Sequence, residues 1–374
     1  MRIEPFEMER WQSTWENEVQ FNLSESGVHP LSLQELLDPP DLEKIKELEL
    51  GYIQTNGVPE LRKAISRLYP GATEENVLVT TGSAEANFLL IWSLIEPGDE
   101  VVFMLPNYMQ IWGLARGFGS VVKPFCLREE LSWGLALDEL KRIVTKRTKM
   151  IVITNPNNPT GAVLDEEARE AIVSLAEWAG AMILADEVYQ GAELEGSQTP
   201  SFWGMTDRVV VTNGLSKAYG LPGLRVGWMV GPAELIQRTW PYHDYTTICL
   251  SAVSTYLAQI VLTPSCRKRI LHRTRKILKT NLRLLQSWLE RQSALLSFVP
   301  PKAGAIAFVH YKLEIPSSGL VEKIRKEKSV LLVPGEHFLM ENYIRFGYGL
   351  EEERLVSALK LVEEALDEIK KNSS

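Results

Sequence analysis

Cysteine is scarce: Cys126, Cys249 and Cys266 are the only three in a chain of 374 residues. Their odd number and the lack of any CxxC spacing exclude a disulfide framework and a zinc knuckle, and a reducing cytoplasm is the expected location. Histidine is also sparse, five residues with no cluster, so no metal site is expected. Basic charge is in deficit. Forty Lys and Arg against 48 Asp and Glu leave a formal net charge of -8. That excludes nucleic acid and an anionic membrane surface as partners, because both demand a basic face. The one basic stretch, 267–275, alternates with Ile270 and Leu271 at helical spacing and reads as a solvated helix face. No apolar run reaches the roughly 20 residues of a membrane helix. Residues 1–15 are charged and lack the apolar centre of a signal peptide. Repeats and low-complexity segments are missing too.

What is present is an ordinary globular composition, 45% apolar and 24% charged, in a chain long enough for two lobes. Between residues 77 and 230, short apolar runs at 77–81, 100–104, 121–125, 149–154, 181–186, 208–212 and 225–230 alternate with helical stretches. Such alternation predicts an α/β sheet covered on both faces. Several runs end in polar or glycine-rich turns, and ligands of open α/β sheets bind at those carboxyl ends. After about residue 251 the texture changes to long amphipathic helices with short strands near 303–310 and 343–346. The expected division is an N-terminal segment 1–44 that joins a small domain, a large domain 45–270, and a small α+β domain 271–374.

Four strand-end segments can carry chemistry. Lys217 lies in Asn213-Gly214-Leu215-Ser216-Lys217-Ala218-Tyr219-Gly220, and Arg225 stands eight residues on. A lysine whose pKa is lowered by desolvation or nearby cations is an imine-forming nucleophile, and an arginine beside it can hold a phosphate bidentately. A lysine in a glycine-rich turn is also commonly a plain solvated residue. Thr80-Thr81-Gly82-Ser83-Ala84-Glu85 ends a strand and opens a helix whose first amides form an anion site, or it is only a serine-capped turn. Asn155-Pro156-Asn157-Asn158-Pro159-Thr160-Gly161 is rich enough in breakers to be a turn alone, yet Asn158 can offer its amide to a phenolate-like oxygen. Ala185-Asp186-Glu187-Val188-Tyr189 brings two carboxylates to a strand end. Asp186 is the candidate to face a pyridine nitrogen and keep it protonated.

In order and spacing, these segments resemble the fold-type I pyridoxal-phosphate enzymes, specifically the class I/II aminotransferases, from about Phe21 to the C-terminus. The resemblance implies a three-layer, aspartate aminotransferase-like large domain with a mostly parallel seven-stranded sheet, plus a smaller α+β domain. It implies pyridoxal 5'-phosphate as cofactor, held as a Schiff base on Lys217, which also moves the substrate proton. Ser216 and Arg225 would bind the phosphate with the amides of Ser83, Ala84 and Glu85; Asp186 would pair with the ring nitrogen. Asn158 and Tyr189 would flank the ring's 3-oxygen, and Tyr108 would stack on the ring. Tyr52 matches the tyrosine that family members lend to a partner subunit's phosphate, which implies a homodimer with shared sites. Arg345 would clamp the substrate α-carboxylate beside Asn158, with a backbone contact from Ser26-Gly27. Gly214 departs from the Ser or Thr often found three residues before the lysine.

Substrate identity is less legible. No second cation for a side-chain carboxylate stands out, and Lys123 and Arg116 are unassigned. Segments at 23–29, 215–228 and 331–335 look most like the branch of the family that contains capreomycidine synthase. Asp244, together with Glu25, is expected to favour a cationic or polar substrate. Transfer of an α-amino group between a small amino acid and a 2-oxo acid is the leading expectation; β-elimination, decarboxylation and cyclisation share the same cofactor chemistry. A non-catalytic cofactor-binding regulator is disfavoured, because no helix-turn-helix extension precedes Phe21 and Lys217 is retained. Ser265-Cys266-Arg267-Lys268 matches SxxK without its companion motifs, and Gly117-Phe118-Gly119 reads as a turn.

Overall fold

The computed structural model describes residues 3–373. Its main sheet has eight strands in the spatial order Val77–Thr81, Val226–Val230, Val209–Gly214, Met182–Asp186, Thr148–Thr154, Glu100–Leu105, Val121–Arg128 and Gly134–Leu135. Five neighbouring strands, from Val209–Gly214 to Val121–Arg128, run parallel. Val226–Val230 runs antiparallel to both of its neighbours. All seven expected strands are present. The eighth, Gly134–Leu135, is two residues long and pairs antiparallel at the sheet edge; a run that short carries no periodicity to read.

Strand alternation divides the core in two. Val77, Val79, Val102, Met104, Ile151 and Ile153 face one side, while Leu78, Val101, Phe103, Met150 and Val152 face the other. The second side is covered by Ser83–Leu94, whose Ala86, Leu89, Leu90 and Ile91 are fully buried. That helix is apolar nearly all round, as a helix sandwiched in a core must be. The first side is covered in part by Glu166–Ala179, started by an Asp165 side chain that accepts from Ala168 N and ended by left-handed Gly180.

A four-stranded antiparallel sheet, Leu296–Phe298, Ile306–Tyr311, Tyr343–Gly347 and Val333–Pro334, forms a second centre. The N-terminal strand Phe21–Asn22 pairs in parallel with Val330–Leu331 beside it. The helix Pro264–Arg291 runs unbroken through 270/271. Its basic stretch is only in part the solvated face expected from the sequence: Lys268, Arg269 and His272 are exposed, while Arg267, Arg273 and Arg275 are half-buried. Arg267 donates to Tyr219 Oη and Gln198, Arg269 to the carbonyls of Glu35 and Leu36, Arg273 to His29 O, and Arg275 to Gly191 O and Glu193. Each guanidinium ties the helix to another element, because an arginine stem crosses apolar surface and delivers a planar donor beyond it. Among the described residues no helix is long and apolar enough to cross a membrane, and no group of His, Cys, Asp and Glu is set to hold a metal.

Candidate active site

Parallel pairing puts Thr154, Asp186 and Thr212 side by side at the carboxyl ends of adjacent strands. A cavity of about 510 Å³ opens there, lined among others by Asp186, Lys217, Ser216, Arg225, Ser83 and Asn158. Asp186 accepts from Val188 N at 3.2 Å and Asn87 Nδ2 at 3.3 Å. Asn87 is itself held by Thr212 Oγ1 at 2.9 Å. Burial pushes the Asp186 carboxyl up to about 6, against the pull of those hydrogen bonds. A protonated ring nitrogen placed against it would supply the missing charge. Asn87 carried no assigned role in the sequence; its position one helical turn after Ser83 is the signal that finds it.

The neighbouring carboxylate, Glu187, points the other way. Its Oε1 accepts from Phe202 N at 2.8 Å and Ser201 Oγ at 3.0 Å, and its Oε2 has no partner. Burial pushes this carboxyl up to about 8, so it is neutral at neutral pH. A folded-state value above the unfolded one gives stability that is full below about pH 4.5 and lost as pH rises through about 8. Glu187→Gln is therefore expected to be more stable than the parent cofactor-free protein near pH 8.5 and little changed near pH 4.5. The gain approaches about 1.4 kcal/mol for each pH unit between the two values. Denaturant titrations at both pH values check this, and an equal offset at the two would refute it.

The opposite end of the cavity is built for an anion. Gly82, at φ +81°, turns the chain into Ser83–Leu94. A Cβ on Gly82 would sit 2.6 Å from Arg225 Nη2, and one on Gly227 would sit 2.2 Å from Gly82 C and Ser83 N. The missing side chains thus let strand, guanidinium and helix start close on one point. The first-turn amides of Ser83, Ala84 and Glu85 have no intrahelical acceptor, which makes the helix start an anion site. The Glu85 carboxylate accepts from Thr81 N at 2.6 Å and from the Thr246 and Thr247 hydroxyls, and it lies 3.3 Å from His243 Nε2. Burial raises this group, but those donors outweigh it and hold it at about 2. The departure at Gly214 also has a steric reason, since a Cβ there would meet Val226 O at 2.7 Å.

Lys217 Nζ is 2.8 Å from Glu25 Oε1. The expectation of a lowered lysine pKa is corrected by this contact. Burial pulls it down, but the charge of Glu25 and the nearby Tyr189 push it up, and the net direction is up. Glu25 responds in kind: burial raises it, and Lys217 with the Gly27 amide brings it to about 2. Ser26 N and Gly27 N, expected to meet a substrate carboxylate, both donate to Glu25 Oε1 at 2.9 Å. The chain's own carboxylate takes those donors. Tyr189 is buried and donates to Ser26 Oγ at 3.0 Å.

Arg345 lies on Tyr343–Gly347 with only 1% of its surface exposed. Its Nη1 donates to Asn158 Oδ1 at 3.0 Å and its Nη2 to Ser24 O, while Nε has no partner. No ion pair to Arg345 exists among the described residues. A buried cation without an anion is an open position for a carboxylate ligand. Asn158 spends its oxygen on Arg345, which leaves its amide nitrogen as a donor.

The sequence left unread the roof of this cavity. Phe6, Met8, Glu9, Gln12 and Glu16 line it from the helix Glu7–Trp15 and its two flanks. Tyr108 Oη donates to Glu9 at 2.9 Å, and Phe6 meets the Tyr108 ring edge-on at 4.9 Å. Trp11 Nε1 pins the helix to Leu332 O at 2.7 Å and Gln12 pins it to Ser24 O at 2.9 Å. Met8 and Gln12, one turn apart, are both buried. The unassigned cations lie elsewhere: Lys123 pairs with Glu100 and Arg116 with Glu4.

Tyr52 and Asp244 do not line the cavity of their own chain. Tyr52 is 86% exposed, and Asp244 is exposed at the end of Ala233–His243. His243 Nδ1 donates to Thr55 O at 2.9 Å, so both sit on one face, with exposed Leu50 and Tyr245.

An anion cradle, a buried carboxylate across from it, a lysine between them and an unpaired buried arginine fit a flat, phosphate-bearing pyridine cofactor and an α-amino acid. The description "Aminotransferase class I and II" belongs to the family model that matches residues 31–362. Capreomycidine synthase of Streptomyces vinaceus is 31% identical over 371 residues, covering 96% of this chain and 93% of that one. Aspartate aminotransferase of Thermotoga maritima is 29% identical over 338 residues, 85% of this chain and 84% of the other. The crystal structure of a PLP-dependent aminotransferase from Streptococcus suis 89-1591 superposes with a TM-score of 0.93 at 34% identity, covering 99% of each chain. The chain belongs to the class I and II aminotransferase family, and its cofactor is pyridoxal 5'-phosphate.

Proposed function

We propose that the protein is an aminotransferase that moves the α-amino group of a small amino acid to a 2-oxo acid, working as a homodimer. The observation that carries this reading is the position of Lys217 in one cavity with Asp186 and Asn158, beside the unpaired Arg345. When bound, pyridoxal phosphate supplies a carbonyl for the amino group and a protonated ring that withdraws electrons. Lys217 holds the cofactor and moves the proton at the substrate Cα. Asp186 keeps the ring nitrogen protonated, Asn158 and Tyr189 set the polarity at the ring oxygen, and Tyr108 covers the ring. Ser83, Ala84, Glu85, Ser216 and Arg225 hold the phosphate, Arg345 the α-carboxylate. The division of the chain at 44/45 and 270/271 belongs to the same reading, with the second boundary inside one continuous helix. The test is a set of half-reactions: an amino acid should leave the protein carrying an amino group that a 2-oxo acid then removes.

A second reading is favoured by the carboxylates Glu9, Glu16 and Glu25, which line the cavity, while among the described residues Lys217 and Arg225 are the cations lining it, with Arg345 bonded to Asn158 in its wall. Burial and the charges of Glu25 and Glu9 push Glu16 up. This acidic wall suits a substrate with a cationic side chain better than a dicarboxylate, with Glu25 rather than Asp244 as the group in reach. It gives weight to elimination or cyclisation, because the relatives of this chain include a synthase as well as aminotransferases. Release of ammonia and oxo acid, or a cyclic product, without amino-group retention would decide for it.

Sharing of sites has its own expected result. If Tyr52 serves the partner's phosphate, mixed subunits carrying Tyr52→Ala or Lys217→Ala should regain about one quarter of parental activity, since half the dimers are hybrid and each hybrid has one intact site. No recovery after verified subunit exchange would place Tyr52 outside the partner's site.

A further inference from the structure

A second cavity, of about 640 Å³, lies apart from the catalytic one. It lies between the loop from Glu193 to Pro200, one face of the helix Pro264–Arg291, and residues 300–302. Lys279 and Arg283, one helical turn apart, and Lys302 line it, and none of the three makes an ion pair among the described residues. Of the two carboxylates in its wall, Glu193 is already neutralised. It is buried, takes Arg275 Nη2 at 2.6 Å, and accepts from Gly191 N at 3.0 Å and Thr199 N at 2.8 Å. Glu195 is exposed on the rim. Positive charge therefore prevails at the cavity.

A volume of this size is that of a small-molecule site.

We propose that this cavity is a second binding site, for a small multivalent oxyanion neutralised by Lys279, Arg283 and Lys302. The site is distinct from the phosphate cradle at Gly82 and Arg225, with which it shares no lining residue. Its wall is nevertheless joined to the catalytic loop. Leu194 N donates to Lys302 O at 2.9 Å, Lys302 N donates to Gly161 O at 2.9 Å, and Gly161 N donates to Asn157 O at 2.9 Å, next to Asn158. An occupant reaches the cofactor pocket through three backbone hydrogen bonds.

The test is calorimetric titration of the pyridoxal-phosphate-loaded protein with pyrophosphate and, separately, with citrate. With the cofactor bound, its phosphate cradle is filled. At least one probe is expected to bind with Kd below about 1 mM, which corresponds to about 4 kcal/mol. The double variant Lys279→Ala, Arg283→Ala should weaken it about 10-fold or more, without altering cofactor absorbance. Binding of pyrophosphate alone identifies a phosphate-bearing ligand, and of citrate alone a polycarboxylate. Absence of binding by either probe, or unchanged binding in the double variant, overturns the proposal. The exposed positions 279 and 283 carry no structural bond, so that variant folds as the parent does.

Discussion

Lys217→Ala is expected to lose at least about 10²- to 10⁴-fold in single-turnover rate with an amino acid substrate, the range for removing a positioned general base. It should also lose any covalent attachment of the cofactor after borohydride reduction. The remaining cradle stays intact, because Arg225, the first amides of Ser83–Leu94 and Asp186 are built from other strands. The variant should therefore still bind pyridoxal phosphate, but release it on dialysis. Small free amines should restore part of the rate, since they replace the missing base without its tether. A rate within tenfold of the parent would remove Lys217 from the centre of the mechanism. Thermal unfolding is the control, since the substitution also strips Glu25 of its 2.8 Å ion pair.

The second large effect is expected at Arg345. Truncating one member of a buried charge pair costs about 2–5 kcal/mol, which at about 1.4 kcal/mol per decade is roughly 30- to 3,000-fold in kcat/KM. Arg345→Ala should show this loss chiefly in KM for amino acids and 2-oxo acids, with cofactor absorbance retained. Simple amines lacking a carboxylate should be processed equally by parent and variant, which separates carboxylate binding from a structural defect. Because Arg345 also bonds Asn158 and Ser24 O, Arg345→Lys is the folding control. A parental KM for both substrates in Arg345→Ala would assign the α-carboxylate to another group.

The strand-end motifs were legible because each is local: a short apolar run, then breakers, then the functional side chain within a few residues. Asp186 and Asn158 follow from that grammar, and the parallel register sets Thr154 opposite Asp186, which brings the loop that carries Asn158 to the same end of the sheet. Contacts that cross the chain were not legible. The direction of the Lys217 pKa depends on Glu25, 192 residues upstream. The roof over the cavity depends on Glu9 meeting Tyr108, 99 residues away, and on Met8 meeting Arg345, 337 residues away. Nothing in the local pattern of residues 6–16 announces such partners. The arginines at 267–275 were misread for a related reason. Helical spacing tells which face a side chain leaves from, but a long stem decides where its head arrives.

The glycines at the phosphate end give the protein an unusual genetic signature. Gly82, Gly214 and Gly227 contact no reacting atom, yet a mutational scan scored by activity in cell extracts would rank them with Lys217. Side chains at 214 and 227 collide with backbone, so those alleles should fail through low protein abundance. At Gly82 the first atom met is the flexible guanidinium of Arg225, although φ +81° strains any side chain there, so that variant should keep more of its protein and be partly rescued by excess cofactor in the assay. Dependence on added cofactor, rather than loss of activity, marks the residues that shape the cradle from those that act within it.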